Sequence, residues 1–298
     1  MVGALLLAAV LVPVVINSTS AGPNTTDLKV LLIGASPTLT IPDPTTPAWA
    51  AELANEGVAY TEVDAAGTTL GSETVTLPTL TSSSTHGLFD AVVVADGPAD
   101  FATGQLTALD QYESAFGVRE IDTDAFPSPA LGLNSVTESN NGDLSNTTAT
   151  LTATGLAIFS SLKGPVPLDT GTFASPATVA GPLPAGASET PLLDDASGNV
   201  LMGIYQHPSA AQSPTDPQAG VAEMTLDFNY NATDIQWLIL GPALIDWVTG
   251  GVHLGLYRNY IGQDVDDVFI SDNQWSTEYQ CTPAATDPSD YTCPAGVA

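Results

Sequence analysis

Two short segments constrain the fold of this chain more than anything else in it. Lys29–Ile33 reads Lys-Val-Leu-Leu-Ile and Phe89–Val94 reads Phe-Asp-Ala-Val-Val-Val, each carrying a continuous apolar run closed by a polar or glycine-bearing turn. A strand with one wet face alternates apolar and polar residues, whereas a continuous run belongs to a strand covered on both sides, the signature of a parallel sheet under helices. The surrounding residues supply the helices. Thr46 is placed to cap one, with Pro47 at its first position, Trp49, Leu53 and Ala54 on its apolar face, and Gly57 to stop it. Val58–Val63 follows as a strand, Leu106–Phe116 as a second helix ended by Gly117, and Val118–Ile121 as a further strand. Strand, helix and strand in alternation are βαβ grammar.

Near Phe126 the texture changes. Residues 127–220 are rich in Pro, Gly, Ser and Thr and carry short alternating runs, among them Thr148–Thr154 and Val200–Tyr205, with Asp195–Gly198 as a hairpin turn. Order returns at Val221–Phe228, which alternates as a strand, and at Ile235–Val248, a helix apolar on nearly every face that Asp234 is placed to cap. The expected fold class is therefore α/β: a flavodoxin- or amidotransferase-like parallel sheet over residues 27–250, with a β-rich insertion at about 127–220. Amidotransferase chemistry is excluded within it, because the strand-to-helix position after Val94 reads Ala95-Asp96-Gly97-Pro98 and offers no nucleophilic Cys or Ser. Gly34-Ala35-Ser36-Pro37 likewise lacks the glycine spacing that cradles a phosphate.

Charge narrows the partners. The chain has 33 Asp and Glu against 4 Lys and Arg, a formal charge of −29, and the basic residues are scattered at Lys29, Arg119, Lys163 and Arg258. A nucleic-acid interface needs clustered cations, so that class is excluded and the partners are uncharged or cationic polymers. The apolar stretch Ala4–Ile16 is too short for a stable membrane span and suits a signal peptide, although no Lys or Arg precedes it; residues 1–26 are read as signal peptide and linker. Asn-x-Ser/Thr acceptors at Asn17, Asn24, Asn146 and Asn231, and two cysteines spaced to pair as Cys281–Cys293, fit a secreted or cell-surface protein.

The densest polar signal lies at Gln263–Ile270, where Asp264, Asp266 and Asp267 crowd together. Neighbouring carboxylates repel, so such a segment is either a solvated acidic turn or a half-built cation site, with one carboxylate as ligand and another as base. Tyr257–Ile270, together with Asp246–Gly255 before it, resembles the galactosaminogalactan deacetylase family, secreted polysaccharide deacetylases that carry a carbohydrate-binding module ahead of a catalytic barrel. The resemblance implies Asp266 as general base and Asp267 as ligand to a divalent metal, zinc in such enzymes; it assigns nothing to Asp264. It also implies two downstream metal-binding histidines, yet His86, His207 and His253 are not so spaced. Residues 251–298 are accordingly expected to open a truncated deacetylase domain, inactive alone, with the metal held only in the complete enzyme. The implied partner is an extracellular polysaccharide, a cationic galactosamine-containing one by charge.

Sugar contact is sought among the aromatic residues Trp49, Tyr60, Tyr112, Tyr205, Tyr230 and Trp275. Tyr205 and Tyr230, in or beside the β-rich stretch, are the substrate-binding candidates, and core packing is the expectation for Trp49 and Tyr60. His207, at a strand end, is a further possible sugar contact, while His86 and His253 are expected to be structural. Two other functions remain open at this level: a non-catalytic surface adhesion module, and a degenerate amidotransferase-like domain holding a small metabolite.

Overall fold

A computed structural model of the chain describes residues 24–40, 42–69, 73–95, 100–136, 142–255, 276–281 and 293. It comprises two compact units, Met1–Tyr257 and Arg258–Ala298. The signal-peptide segment, Asp264, Asp266, Asp267 and Trp275 lie outside the described residues.

The first unit is built on one mixed sheet. Its strands are β1 (Val30–Gly34), β2 (Tyr60–Asp64), β3 (Ala91–Val94), β4 (Arg119–Thr123), β5 (Thr148–Leu151), β6 (Val166–Pro167), β7 (Ser188–Asp194), β8 (Val200–Gln206) and β9 (Ala222–Leu226), and their order across the sheet is β6-β5-β7-β8-β9-β4-β3-β1-β2. From β9 to β2 every pairing is parallel. From β9 outward to β6 every pairing is antiparallel. The expected parallel sheet thus occupies one half, and the strands of the β-rich stretch extend the same sheet instead of forming a separate unit. The physical reason lies in β9: its β4 side completes the parallel half, and its other edge is hydrogen-bonded to β8 of the β7–β8 hairpin.

The helices are α1 (Thr45–Glu56), α2 (Gln105–Phe116), α3 (Ala153–Ile158) and α4 (Ile235–Val248). One sheet face packs against α1 and α4: Val30, Leu32, Val93, Ile121, Met224 and Leu226 meet Trp49, Leu53, Trp237 and Leu244 there. Leu31, Ile33, Val92 and Val94 point to the opposite face and meet Leu109 and Tyr112 of α2. Both faces being dry at β1 and β3, those strands had to be apolar throughout.

Two helix caps differ from the sequence expectation. Asp43, not Thr46, closes the N-terminus of α1, its carboxylate accepting from the backbone N–H of Thr45 at 2.9 Å and of Thr46 at 2.8 Å. At α4 the Asp234 side chain turns back to Asn231, and Asp169 accepts the Ile235 N–H at 2.6 Å. The run Thr148–Thr154 is strand only to Leu151; Thr152 then caps α3 through its hydroxyl, which accepts the Gly155 N–H at 3.0 Å. The Asp195 turn joins β7 to β8 as expected, with the Asp195 carboxylate accepting from the Ser197 and Asn199 N–H groups.

In the second unit Ser276 and Cys281 form a bridge, and Cys281 is disulfide-bonded to Cys293.

Candidate functional site: an acidic cavity on the sheet face beneath α2

Alternation along β4 and β9 builds the site. Ile121, Met224 and Leu226 are committed to the α1/α4 core, so Glu120, Asp122, Glu223 and Thr225 emerge on the α2 face. The register then lines them up: Glu189 of β7 lies beside Tyr205 of β8, Tyr205 beside Glu223, and Glu223 beside Glu120. Like charges directly across a ladder repel, and here α2 brings two more carboxylates, Asp110 and the fully buried Glu113, onto the same cluster.

No lysine or arginine forms an ion pair among the described residues. Lys29 lies over the Phe89 ring, and the Arg119 guanidinium covers Trp247 and donates to its carbonyl at 2.6 Å. The cluster is therefore held by His207, by Gln218 and by shared protons. His207 sits between two acids, Nε2 at 3.0 Å from Glu223 and Nδ1 at 3.3 Å from Asp216. The Gln218 amide donates to both Glu113 and Glu120 at 3.2 Å. Hydrogen bonds also join Glu113 to Glu120 and Asp122 to Glu223, which two carboxyl groups can form only when one of them keeps its proton.

Titration follows from this. Burial is the leading cause at every member and pushes Asp110 up to about 6, Glu223 up to about 7 and Glu113 up to about 8. Glu120 and Asp122 stand well above the usual carboxylate range, through burial first and then through neighbouring acids. Farther along the same face burial pushes Glu189 up to about 8, and Asp227 is raised by burial and then by the charges of Glu189, Asp124 and Asp122.

A cavity of about 440 Å³ opens on this cluster. Its acidic wall is Asp110, Glu120, Asp122 and Glu223 with His207 and Gln218, and its apolar wall is Val94, Phe101, Leu106, Ala125 and Phe126. The segment 125–132 roofs it. Gly132, at φ 71°, lies so close to the sheet that an added Cβ would come within 2.6 Å of the Tyr205 ring. Phe126, 54% exposed, presents its ring at the cavity. Carboxylates and a histidine beside an apolar, partly aromatic wall can hold a polyhydroxylated ring, accepting its hydroxyl protons on one side and covering its C–H face on the other.

The sequence-predicted residues fall in three places. His207 lines this cavity; Tyr205 does not line it, its buried ring meeting the His207 ring edge-on at 4.8 Å. Nor does Tyr230. It lies on the other sheet face, its ring stacked on Trp237 at 4.6 Å and its hydroxyl accepting from the Trp49 indole at 2.8 Å, so its sugar-contact assignment gives way to a packing role. Asp266, the expected base, and Asp267, the expected metal ligand, lie outside the described residues. Among the described residues no group of His, Cys, Asp and Glu side chains is placed to hold a metal ion. His86 pairs with Asp27 at 3.0 Å, and His253 faces Thr249 at 3.2 Å.

Sequence reasoning missed Glu113, Glu120, Asp122, Glu223 and Phe126. In β4 and β9 the acids alternate with core residues, Glu120 and Asp122 about Ile121 and Glu223 before Met224, a pattern that by itself reads as an ordinary wet face.

Comparison with known proteins bears on the same region. Residues 44–187 match the family model described as Agd3 CBM87. Among solved structures, the fold is similar to that in "Crystal structure of Agd3 a novel carbohydrate deacetylase", with a TM-score of 0.57 and 20% sequence identity over 79% of this chain and 34% of that one. The chain thus spans about a third of the length of Agd3. Comparison with curated proteins returns no match. The N-terminal portion is Agd3-like, and the matched segment contains α2, β4 and the roof segment of the cavity.

Proposed function

We propose that this Agd3-like chain is the carbohydrate-binding N-terminal portion of a secreted, metal-dependent polysaccharide N-deacetylase, and that it engages an extracellular amino-sugar polymer through the acidic cavity beneath α2. The observation that carries the reading is the coincidence of the carbohydrate-binding-module match with that cavity: eleven of its fourteen lining residues lie within residues 44–187. The cavity volume of about 440 Å³ lies in the range of small-ligand sites. Tyr205 belongs to the reading as a residue that fixes His207 and the sheet side of the site. The parallel strand order β2-β1-β3-β4-β9 is that of flavodoxin-like sheets and supports an α/β scaffold of that type. Secretion is supported by the Cys281–Cys293 disulfide and by a chain that is strongly acidic yet only 12% charged. No helix among the described residues is long and apolar enough to cross a membrane.

Deacetylation is proposed for the whole polypeptide of which this chain represents an Agd3-like part. In it Asp266 would act as base and Asp267 as ligand to a divalent metal, zinc by the family resemblance, in a barrel beginning near residue 251. The chain alone is expected to release no acetate. Affinity electrophoresis through gels containing a galactosamine polysaccharide tests the binding reading: the protein should be retarded, and Phe126→Ala should migrate freely. Unretarded wild-type protein would refute it. For the catalytic reading, Asp266→Asn in the whole polypeptide should abolish acetate release while leaving retardation unchanged.

A further inference from the structure

We propose that the cavity beneath α2 selects the ammonium-bearing, deacetylated unit of its glycan over the N-acetylated unit; the inference rests on the carbohydrate-binding reading above. Two observations converge on it. The first is the array itself, in which α2, β4 and β9 bring five carboxyl groups together with no lysine or arginine pairing any of them among the described residues. Four of the five, Asp110, Glu120, Asp122 and Glu223, line the cavity. The second is the shape of the remainder: Phe101, Leu106 and Phe126 offer the body of a sugar an apolar seat opposite the acids.

An ammonium answers this arrangement and an acetamide does not. The ammonium brings three N–H donors and a positive charge into a weakly solvated acidic cluster, where charge-assisted hydrogen bonds are strongest. The acetamide brings one donor, no charge, and a carbonyl oxygen that meets carboxyl oxygens unfavourably. The groups facing the incoming cation are Asp110 from α2, Glu120 and Asp122 from β4, Glu223 from β9, and His207 from the end of β8. Behind these stand Glu113 from α2, Glu189 from β7, Asp227 after β9, Asp124 just before the roof, and Asp216 beside His207. Cation binding favours ionised carboxylates, so protons shared within the cluster are released to solvent as the sugar enters.

Calorimetric titration of the full chain with galactosamine oligosaccharides and with their N-acetylated counterparts, at low salt, at pH 5 and pH 7, tests the proposal. At pH 7 the deacetylated oligomer should bind at least about tenfold tighter. It should release protons, seen as a binding heat that varies with buffer ionisation enthalpy, and its preference should shrink at pH 5. Glu223→Gln and Asp122→Asn should each erase most of the preference, the larger loss of affinity falling on the deacetylated oligomer. Should either variant fail to fold, Phe126→Ala at its exposed position should weaken both oligomers alike. Equal affinity for the two oligomers, or variants that keep the preference, would overturn the ammonium proposal and leave carbohydrate binding standing; binding of neither oligomer would overturn both.

Discussion

Glu120 carries the electrostatic tension of the molecule in one side chain. It is buried, lies across the ladder from Glu223, and shares Gln218 with Glu113. A carboxyl raised in this way keeps its proton in the folded chain while the unfolded chain gives it up, so it weakens folding above the ordinary carboxylate range. Glu120→Gln, which has nothing to ionise, should stabilise the protein at pH 8 and do little at pH 5, as read from urea unfolding at the two pH values. Tyr230 is the contrasting case. Tyr230→Phe removes the acceptor of the Trp49 indole N–H at 2.8 Å in a dry core, and should cost about 1–3 kcal/mol with glycan affinity unchanged. Sequence alone could not separate these two roles. Both Tyr205 and Tyr230 stand beside the β-rich stretch, and only the register of β8 against β9 and the stacking of Tyr230 on Trp237 send one beneath His207 and the other to the core on the opposite sheet face.

At the scale of elements, legibility followed local physics. β1, β3 and α2 were readable because unbroken apolar runs and a closing glycine are local signals, and the Asp195 turn was readable for the same reason. The cap of α1 was read three residues late: Thr46 looked suitable, but Asp43 reaches both free N–H groups and the hydroxyls of Thr45 and Thr46 at 2.6 Å as well. Asp43→Ala should therefore destabilise the chain by about 1–2 kcal/mol, measurable as a shift in the urea midpoint with an unchanged slope, whereas Thr46→Ala should cost less at that end of the helix. The cavity was not legible, because its acids come from α2, β4 and β9, with Asp110 and Glu223 more than a hundred residues apart in the chain, and no spacing rule links positions that meet only through a crossover and a ladder. What the sequence did carry was the alternation that sends these acids to one face of the sheet, and it did not carry the burial of that face.

For the whole molecule, the consequence is an inverted pH dependence. Most folded proteins hold carboxyls whose affinity for protons is lowered and lose stability on acidification. Here Asp110, Glu223, Glu113 and Glu189 are raised to about 6, 7, 8 and 8. Between the ordinary carboxylate range near 4 and those raised values, the folded state holds more protons than the unfolded state, so stability declines as pH rises through that window. Thermal unfolding should place Tm highest near pH 5 and lower by on the order of 5 °C or more at pH 8; a Tm that rises over the same interval would contradict the buried acidic cluster.

The seamless pairing from β6 to β2 also decides where this protein can be cut. A polypeptide trimmed to residues 44–187, the span of the family match, would lose β1 from between β2 and β3 and would lose the β7–β8–β9 steps that link β5 to β4. It would bare raw strand borders on every remaining piece, and gel filtration of such a product should find aggregate where residues 24–255 elute as a single species. Homology and autonomy have different frontiers in this chain, and hydrogen bonding draws the second one.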